Sequence, residues 1–457
     1  MPNIRCPKTV LLLLFASMLL PSCVIQQIDH TPYEQTDYFR QTLEQLEAHA
    51  PVVTSTDTLQ VGWAKVNITP PLHTPLAGYG KRRGMKYTSV HDSAYVRTFS
   101  FGNGSSQAYF VALDMLITPM AVSAALEKEY ARLGLKPEQV YLSATHTHTS
   151  FGGWGKKLMG RIMAGRYKEQ VVQATVQHIV ASMALAQAGQ LPARIGYGQV
   201  HAAELVGNRL TGDATALDTT LRYLKFEQKG GGTALLCSFS AHPTILPSRQ
   251  PILSRDYPGA LVDSLESVVD FAAFSAGAVA SHRPHTLHGD SFESTAALGN
   301  SLARKILNSL PNTGTSYHSR LGYASVPLQL PEPQWRSGDR HRFGPGLFHT
   351  FFGNYPAYLS SLQLGNVVLL GVPADYSGEF LKTLTAQAKS QGQELLVTGF
   401  NAGYIGYVTP DEHYGLKNYE TRAMNFYGPQ SGSYLTAMLL RLLQRHQPEA
   451  ADNPANP

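Results

Sequence analysis

Short apolar runs and longer amphipathic segments follow one another along most of the 457-residue chain. The short runs have the length of strands, and the longer segments repeat apolar residues with the 3.6-residue period of a helix. We therefore predict strands at residues 61–68, 94–101, 107–117, 140–144, 193–200, 221–228, 233–239, 268–275 and 394–400, and a pair of short strands within 362–373. We predict helices at residues 38–48, 121–133, 167–188, 257–267, 294–310, 376–391 and 432–444. Strands that mostly alternate with helices indicate an α/β fold, a mixed sheet with flanking helices.

The same pattern predicts a single large domain over residues 59–446, because neither an internal repeat nor a linker interrupts it. Within this domain, residues 311–353 are rich in Pro, Gly and Arg and are expected to be mostly irregular. The last residues, 447–457, have the composition of a disordered tail.

The first 22 residues have the features of a lipoprotein signal peptide. Arg5 and Lys8 form a basic start, and the apolar run 10–20 that follows is too short to span a bilayer comfortably. We therefore expect residues 1–22 to be a targeting segment rather than a part of the fold.

Residues 20–23 (LPSC) resemble a lipobox, which makes Cys23 the lipidated residue. The alternative is a plain secretory signal followed by an incidental cysteine. With a lipid on Cys23, residues 23–58 become a lipidated tether and an N-terminal helix, and the protein is anchored to a membrane of the bacterial cell envelope. Val24 does not resemble an inner-membrane retention signal, so we expect the outer membrane.

Composition narrows the class of protein further. Apolar residues make up 43% of the chain and charged residues 15%, which is typical of a globular protein with a sizeable core. The net charge of +5 is small for this length, and the sequence has no basic run, so we expect no nucleic-acid partner. No obligate protein partner is evident.

The three cysteines exclude an intramolecular disulfide in the processed chain. Cys6 lies in the signal segment and Cys23 carries the predicted lipid, which leaves Cys237 alone. Cys237 lies in an apolar strand, and a thiol buried there has a raised pKa, so a nucleophilic role is not expected.

Two histidines, His146 and His148, directly follow the predicted strand 140–144. Residues two apart in an extended segment point to the same face, so both imidazoles would be aimed at one place. Gly152 and Gly153 then allow the chain to turn away sharply. This arrangement suits a metal ligand beside a catalytic base.

Polar side chains recur just past the ends of several predicted strands. They are His146, His148, His242, Asp375, Tyr404 and Tyr407. Loops that follow separate strands converge at one edge of an open α/β sheet. Two histidines and one carboxylate from separate segments are typical of a catalytic zinc site, which keeps one position open for water.

Several segments resemble the catalytic N-terminal domain of the neutral/alkaline, non-lysosomal ceramidases. They are residues 61–70 (VGWAKVNITP), 144–153 (ATHTHTSFGG), 241–244 (AHPT), 371–373 (GVP), 406–414 (GYVTPDEHY) and 418–420 (NYE). The resemblance extends over about residues 59–430, and it implies a zinc-dependent hydrolase that cleaves an amide bond.

The resemblance also implies roles for individual residues. The zinc ligands would be His146, His242, Asp375 and Tyr407. Asp375 stands where the family has a glutamate, and Glu379 would be the ligand if the register slips.

The residues that handle the scissile carbonyl and the proton transfers would be His148, Arg209 and Tyr419. An imidazole at position 148 can take and return a proton at neutral pH, because its unperturbed pKa is near 6.5. Arg209 and Tyr419 can donate hydrogen bonds to a developing oxyanion.

We expect Asp114 or Asp256 to orient one of the histidines through a hydrogen bond. The alternative is that Asp114 caps a loop and that Asp256 caps the helix that begins at residue 257.

Two features depart from the family pattern. Ala280 stands where the ceramidases have a functional serine, unless Ser281 replaces it after a shift of one residue. The sequence also has no room for the family's additional C-terminal domain after the last motif. Both departures weaken the inference to ceramide more than the inference to zinc hydrolysis.

Two further segments have alternative interpretations. The segment that contains His282, Arg283, His285 and His288 is either part of a different substrate pocket or a solvated loop. The arginines of residues 335–342 either bind an anionic substrate or belong to a solvated loop.

Three functional hypotheses follow. The first is a zinc-dependent hydrolase of an amide, such as the N-acyl lipid ceramide. The second is a zinc hydrolase of a non-lipid amide or an ester. The third is a surface-anchored binding lipoprotein that does not catalyse a reaction, and a purified protein without zinc would favour it.

Overall fold

The computed structural model describes residues 24–286 and 289–447. Cys23 and the predicted signal peptide, His288, and residues 448–457 of the predicted tail lie outside the described residues. Within the described ranges, no helix has the length and apolar character that crossing a bilayer requires.

The strands and helices confirm the predicted α/β class, and most of the predicted elements are present within a few residues of their predicted bounds. The strands, numbered in chain order, are β1 (Ile25–Gln27), β2 (Val52–Ser55), β3 (Gln60–Asn67), β4 (Ser89–Val90), β5 (Tyr95–Gly102), β6 (Gln107–Leu113), β7 (Val140–Ala144), β8 (Leu191–His201), β9 (Val206–Asn208), β10 (Thr220–Gln228), β11 (Thr233–Phe239), β12 (Ile252–Leu253), β13 (Phe271–Ala276), β14 (His282–Pro284), β15 (Ser316–Tyr317), β16 (Arg320–Leu328), β17 (His341–Phe343), β18 (Ala357–Leu364), β19 (Val367–Gly371), β20 (Asp375–Tyr376), β21 (Glu394–Thr398) and β22 (Tyr407–Val408). The helices are α1 (Asp37–Ala48), α2 (Met120–Tyr130), α3 (Leu158–Ala164), α4 (Glu169–Ala188), α5 (Asp256–Glu266), α6 (Phe292–Ser309), α7 (Pro345–Phe352), α8 (Leu381–Ser390) and α9 (Ser431–Gln444).

Two larger sheets, rather than one, contain most of these strands. In the described part of the chain, the larger sheet has nine strands in the order β13-β11-β10-β8-β3-β5-β6-β7, with β15 paired to β8. The smaller sheet has five strands in the order β2-β16-β18-β19-β21. Both sheets are mixed, because β11 pairs with β13, β6 with β7, and β19 with β21 in parallel.

The two sheets pack face to face around a shared apolar core, to which Phe99 and Phe226 contribute from the larger sheet and Leu362 and Leu369 from the smaller. Helices α2, α4, α5 and α6 cover the outer face of the larger sheet. Helices α1, α8 and α9 cover the outer face of the smaller sheet. The result is a helix–sheet–sheet–helix sandwich that buries both faces of each sheet.

The prediction of an irregular segment at residues 311–353 was wrong. This segment contains β16, which lies between β2 and β18 in the smaller sheet, and helix α7. Pro327 obscured the strand in the sequence. It is tolerated because β2 pairs only with Arg320–Tyr323, so the Pro327 end of β16 has one open edge.

The helix predicted to begin at residue 376 begins at Leu381. Asp375 and Tyr376 instead form β20, which pairs in parallel with β22. The backbone N–H of Ser377 donates to the carbonyl of Val408, so this stretch uses its hydrogen-bonding groups between segments before the helix can start.

Candidate metal centre

Three imidazole rings meet at one point beyond the ends of β7 and β11. The Nε2 atom of His146 lies 2.9 Å from Nε2 of His242, and Nε2 of His148 lies 3.1 Å and 3.0 Å from these two atoms. All three side chains are buried. Nitrogen ligands at 2.0–2.1 Å from a tetrahedral zinc ion are about 3.3 Å apart, so a small outward movement of the rings makes room for such an ion. The three histidines can therefore hold a metal.

Main-chain carbonyls orient two of these rings. Nδ1 of His146 lies 2.5 Å from the carbonyl oxygen of Leu116, and Nδ1 of His242 lies 3.4 Å from that of Val279. A carbonyl oxygen only accepts, so Nδ1 is the protonated nitrogen and the lone pair of Nε2 faces the cluster. The ring of His146 also stacks on Phe400, with 3.8 Å between ring centroids.

His148 is held differently from the other two histidines. Its Nδ1 atom is buried and has no hydrogen-bond partner among the described residues. Its carbonyl oxygen accepts from Arg82, and its ring lies 5.0 Å from the ring of Tyr79. The backbone of Gly78 lies close to the backbone of His148. Only glycine fits there, because a Cβ at position 78 would lie 2.7 Å from Cα of His148. The backbone of His148 is thus firmly positioned, while the Nδ1 atom of its ring has no hydrogen-bond partner among the described residues.

Burial keeps the three imidazoles neutral. It lowers the pKa of His146 to about 3. Burial, together with the neighbouring histidines and the Arg209 guanidinium, also lowers the pKa values of His148 and His242 well below the ordinary value. At neutral pH all three rings are therefore in the form that binds a metal, without first losing a proton.

Asp375 and Tyr407 lie side by side next to the histidines, because β20 pairs with β22 in a register that places these two residues opposite each other. The Tyr407 hydroxyl lies 3.5 Å from Nε2 of His242. Oδ1 of Asp375 lies 3.7 Å from Nε2 of His146 and 3.8 Å from Nδ1 of His242. The fold thus brings together all four residues that the resemblance implies as zinc ligands.

The two carboxylate oxygens of Asp375 have different surroundings. Oδ2 accepts a hydrogen bond of 3.0 Å from the Tyr404 hydroxyl. Oδ1 is buried and accepts no hydrogen bond from the described residues. Burial raises the pKa of Asp375 to about 7, against the opposing effect of the Arg209 guanidinium. An unsatisfied buried oxygen beside three neutral imidazoles fits a divalent cation, and this nitrogen and oxygen donor set is one that zinc accepts.

Glu379 is not needed as a substitute ligand. Its Oε2 lies 2.9 Å from Nε2 of His413, and its backbone N–H donates to the Ser377 hydroxyl. The carboxylate that faces the histidine cluster is that of Asp375.

Arg209 and Tyr419 border the same site. Nη2 of Arg209 donates to the Tyr407 hydroxyl at 3.2 Å, and Nε donates to the carbonyl of Ala280 at 2.9 Å. Glu420 forms an ion pair with Nε at 3.1 Å. The ring of Tyr419 packs edge-on against Tyr407, and the residue is 52% exposed. Both predicted oxyanion donors, Arg209 and Tyr419, thus lie against the Tyr407 ring, at the edge of the histidine cluster.

The prediction that Asp114 or Asp256 orients a histidine was wrong. Asp114 accepts from the backbone N–H of Tyr95, and Asp256 accepts from the backbone N–H groups of Leu246 and Tyr257. Both carboxylates therefore cap backbone groups. Main-chain carbonyls perform the orienting role instead.

Ser281 does not face the histidine cluster. Its buried hydroxyl lies 2.8 Å from Nδ1 of His282 and 2.6 Å from the Ser377 hydroxyl. Nε2 of His282 accepts from the backbone N–H of Asp218 at 2.8 Å, which places the ring proton on Nδ1. Ser281 thus belongs to a buried hydrogen-bond chain that joins three segments of the fold.

The remaining candidate residues serve the fold or face solvent. Arg336 donates to the carbonyl of Tyr414, and Arg342 donates to the carbonyl of Pro333. Neither alternative for residues 335–342 describes Arg336 and Arg342, because their side chains are buried and hydrogen-bonded within the fold. In the other segment, Arg283 and His285 are exposed, as the solvated alternative expected, but His282 is buried.

Tyr404 is the site residue whose role the sequence did not indicate. It follows β21, as several site residues follow strands, but its partnership with Asp375 has no sequence signature. Phe400, whose ring stacks on His146, was not identified as a site residue from the sequence. Its backbone φ of 63° is unusual for a phenylalanine.

The fold and the histidine cluster define an α/β protein with a candidate metal centre. The family described as "Neutral/alkaline non-lysosomal ceramidase, N-terminal" matches residues 59–291, just over half of the 457 residues. The chain belongs to this family, which confirms the resemblance. The matched region includes His146, His148, Arg209 and His242 and ends before Asp375.

Individual relatives are similar over different lengths. The neutral ceramidase of Pseudomonas aeruginosa is 27% identical over 216 residues, which cover 43% of this chain and 32% of the relative. The chain thus spans about a third of the length of this curated relative. The crystal structure of neutral ceramidase from Pseudomonas aeruginosa matches with a TM-score of 0.73 at 20% identity, over 88% of this chain and 76% of that one. A ceramidase complexed with C2 matches with the same TM-score and identity, over 88% and 77%. These structural matches show that the fold is shared.

Proposed function

We propose that the protein is a zinc-dependent hydrolase that cleaves the amide bond of an N-acyl lipid such as ceramide. The observation that carries this proposal is the cluster of three Nε2 atoms beside the unsatisfied carboxylate oxygen of Asp375. Membership of the ceramidase family supports the amide as the bond that is cleaved. Similarity to the neutral ceramidase of Pseudomonas aeruginosa supports ceramide as the model substrate.

His146, His242, Asp375 and Tyr407 would hold the ion. Zinc bound by these residues supplies a nucleophile at neutral pH and polarises the substrate carbonyl. The raised pKa of Asp375 is consistent with this role, because a nearby cation stabilises the buried carboxylate that burial disfavours.

His148 would carry the proton from the attacking water to the leaving amine. Its Nδ1 atom has no hydrogen-bond partner among the described residues, so this nitrogen can exchange a proton without breaking a bond within the protein. Burial lowers the pKa of the ring well below its ordinary value, so the ring takes up a proton only transiently. The Nε2 distances are also compatible with a third nitrogen ligand. The metal content of a His148→Ala variant separates these two roles.

Arg209 would stabilise negative charge that develops on the substrate oxygen. Its Nε and Nη2 atoms are occupied by Ala280, Glu420 and Tyr407. These contacts hold the guanidinium plane, and its Nη1 atom has no hydrogen-bond partner among the described residues. Tyr419 is exposed enough to donate a second hydrogen bond to a bound substrate.

A second candidate is a zinc hydrolase of a non-lipid amide or ester. Ala280 at the family's serine position and the internal hydrogen bonds of Ser281 favour it, because they indicate a different environment for the substrate. The third candidate, a non-catalytic binding lipoprotein, requires a purified protein without stoichiometric metal.

The deciding experiment combines metal analysis with a substrate panel of N-acyl sphingosine, short N-acyl amides and esters. We expect stoichiometric zinc and hydrolysis of the N-acyl lipid, and loss of both in His146→Ala. Zinc with hydrolysis of only the short amides or esters would support the second candidate. Absence of zinc, with every hydrolysis rate unchanged in His146→Ala and His242→Ala, would exclude a zinc-dependent hydrolase.

We also propose that a lipid on Cys23 anchors the protein to the outer membrane. Support for this rests on the LPSC sequence and on the residue that follows it. Labelling of cells with a radioactive fatty acid tests it, because Cys23→Ser should abolish incorporation into the protein.

A further inference from the structure

Two segments that lie far apart in the sequence form a basic surface beside the metal centre. Residues 69–91 and 139–168 contain no aspartate or glutamate. The exposed cations of these segments, which we call the basic rim, are Lys81, Arg83, Lys86, Lys156, Lys157, Arg161 and Arg166. Among the described residues, none of them forms an ion pair. This concentration of one sign is unusual in a chain whose net charge is only +5.

The fold brings the two segments together. A Cβ at Gly80 would lie 3.1 Å from Sδ of Met163 in α3, and one at Gly84 would lie 3.1 Å from Cα of Gly165. The neighbouring residue Tyr79 packs against the ring of His148. The basic rim therefore borders the histidine cluster on the side of His148.

An apolar side chain is exposed on the same surface. Leu158 lies between Lys157 and Arg161 at the start of α3 and is 49% exposed. An exposed leucine beside cations that form no ion pair can enter the headgroup region of an anionic bilayer.

The beginning of the described chain lies close to this surface. The carbonyl of Val24 accepts from the backbone N–H of Gly344, directly before α7, and α7 contacts α3. Val24 and Ile25 are 44% and 47% exposed. A lipid on the adjacent Cys23 would therefore enter the membrane near the basic rim. This position is expected if one face of the protein rests on the bilayer.

We propose that the basic rim, together with the exposed Leu158, docks the protein on an anionic lipid bilayer and so presents the metal centre to the membrane. The cations are spread over an exposed surface instead of converging on a buried pocket, which favours an extended array of headgroups over a single small anion. Basic residues near an anionic membrane each strengthen binding by about fivefold. The docking does not depend on the reaction that the metal centre catalyses.

Sedimentation with vesicles tests the proposal without measuring turnover. The protein is the chain from residue 23 onward with Cys23→Ser, which is the processed protein without a lipid. We expect it to bind vesicles of phosphatidylcholine and phosphatidylglycerol, and to bind pure phosphatidylcholine vesicles far less. Neutralising three rim lysines, with Lys81→Gln, Lys156→Gln and Lys157→Gln combined, should weaken binding to the anionic vesicles about 100-fold.

A matched variant controls for net charge. Lys229→Gln, Lys382→Gln and Lys389→Gln remove three exposed lysines, one in the turn between β10 and β11 and two on α8, and this variant should bind like the parent. Leu158→Asn keeps the charge of the rim and should weaken binding to anionic vesicles about tenfold. Circular dichroism and zinc content establish that each variant is folded.

Three results would overturn the proposal. The first is equal binding of the parent to anionic and neutral vesicles. The second is an equal loss of binding in the two triple variants. The third is binding of dihexanoyl-phosphatidylglycerol, below its micelle-forming concentration, as tightly as vesicles, which would indicate a pocket for one headgroup. Because sedimentation measures no catalysis, failure of the proposed amide hydrolysis leaves these results interpretable.

Discussion

Oδ1 of Asp375 lies 3.7 Å from Nε2 of His146 and accepts no hydrogen bond from the described residues. The other oxygen of the same carboxylate is held by the Tyr404 hydroxyl. A buried carboxylate with one oxygen satisfied and the other aimed at neutral imidazoles is stabilised when a cation binds between them. The first prediction follows from this pair.

Asp375→Asn keeps the shape of the side chain and removes its charge. We expect the affinity for zinc to fall by at least about 100-fold, because the change removes a charged ligand rather than a group that only supports one. Competition with a chromophoric chelator measures the affinity directly. A matched substitution, Asp339→Asn, removes an exposed carboxylate and should leave zinc binding unchanged. Unaltered zinc affinity in Asp375→Asn would exclude this residue as a ligand.

Tyr404→Phe removes the hydroxyl that holds Oδ2 of Asp375 and leaves the ring that packs near Phe400. We expect zinc affinity to fall about 10-fold to 100-fold, since groups that orient a metal ligand typically contribute this much. Tyr376→Phe removes another buried hydroxyl, one bonded to Thr436, and is the control. If both variants bind zinc equally well, Tyr404 has no part in positioning Asp375.

His148→Ala separates proton transfer from metal binding. As a proton carrier, His148 contributes to kcat but not to zinc retention, so the variant should keep its zinc and lose about 10²-fold to 10⁴-fold in kcat. Zinc content and kcat are measured on the same preparation. Loss of zinc from this variant would instead make His148 the third nitrogen ligand.

Arg209→Gln should retain zinc and lower kcat by about 10²-fold to 10³-fold, the usual effect of removing one donor to an oxyanion. Arg304→Gln, a change on the exposed face of α6, serves as the comparison. A rise in KM with kcat unchanged would mean that Arg209 binds the substrate equally in the ground state and the transition state.

Stability at acidic pH should depend on His446, which is buried far from the metal centre and bonded to Gln363 and Ser361. Burial lowers its pKa from 6.5 to about 4. Above about pH 6.5 the ring is neutral in both the folded and the unfolded chain. Below this pH the unfolded chain takes up a proton and the folded chain does not, so stability falls as the pH drops from about 6.5 to about 4, by up to about 3 kcal/mol.

Urea unfolding of His446→Gln at several pH values measures this contribution. The free energy of unfolding of the variant should depend less on pH in this interval than that of the wild type. His201→Gln, which removes an exposed histidine, should retain the pH dependence of the wild type. Parallel curves for the wild type and His446→Gln would show that His446 does not contribute to the acid sensitivity.

Much of the secondary structure could be predicted because a short, strongly apolar run is typical of a buried strand. Strands β7 and β11 have the same bounds in the structure as in the prediction. Strand β16 was missed because Gly322 and Pro327 disfavour a strand locally, and pairing with β18 and β2 outweighs that preference. The division into two sheets depends on pairing between distant segments, which local pattern does not encode.

In the candidate site, too, some residues could be identified from the sequence and others could not. Sequence motifs identified His146, His242, Asp375 and Tyr407 as the residues to bring together, and the structure places them side by side. The groups that orient them were not identified. A main-chain carbonyl such as that of Leu116 is present in every residue, so its selection as a partner for His146 leaves no mark in the sequence.

The sequence by itself determined the α/β class, the family and the chemical types at the metal centre, because these depend on apolar periodicity and on motifs of fixed spacing. Only the tertiary structure decided how the centre is built. It placed Asp375 opposite Tyr407, gave Asp375 its bond from Tyr404 and left Asp114 and Asp256 to cap backbone groups. It also joined residues 80–86 to α3 in one basic surface. Each of these outcomes is a contact between segments distant in sequence, and such contacts are set by the packing of the two sheets and their connecting loops.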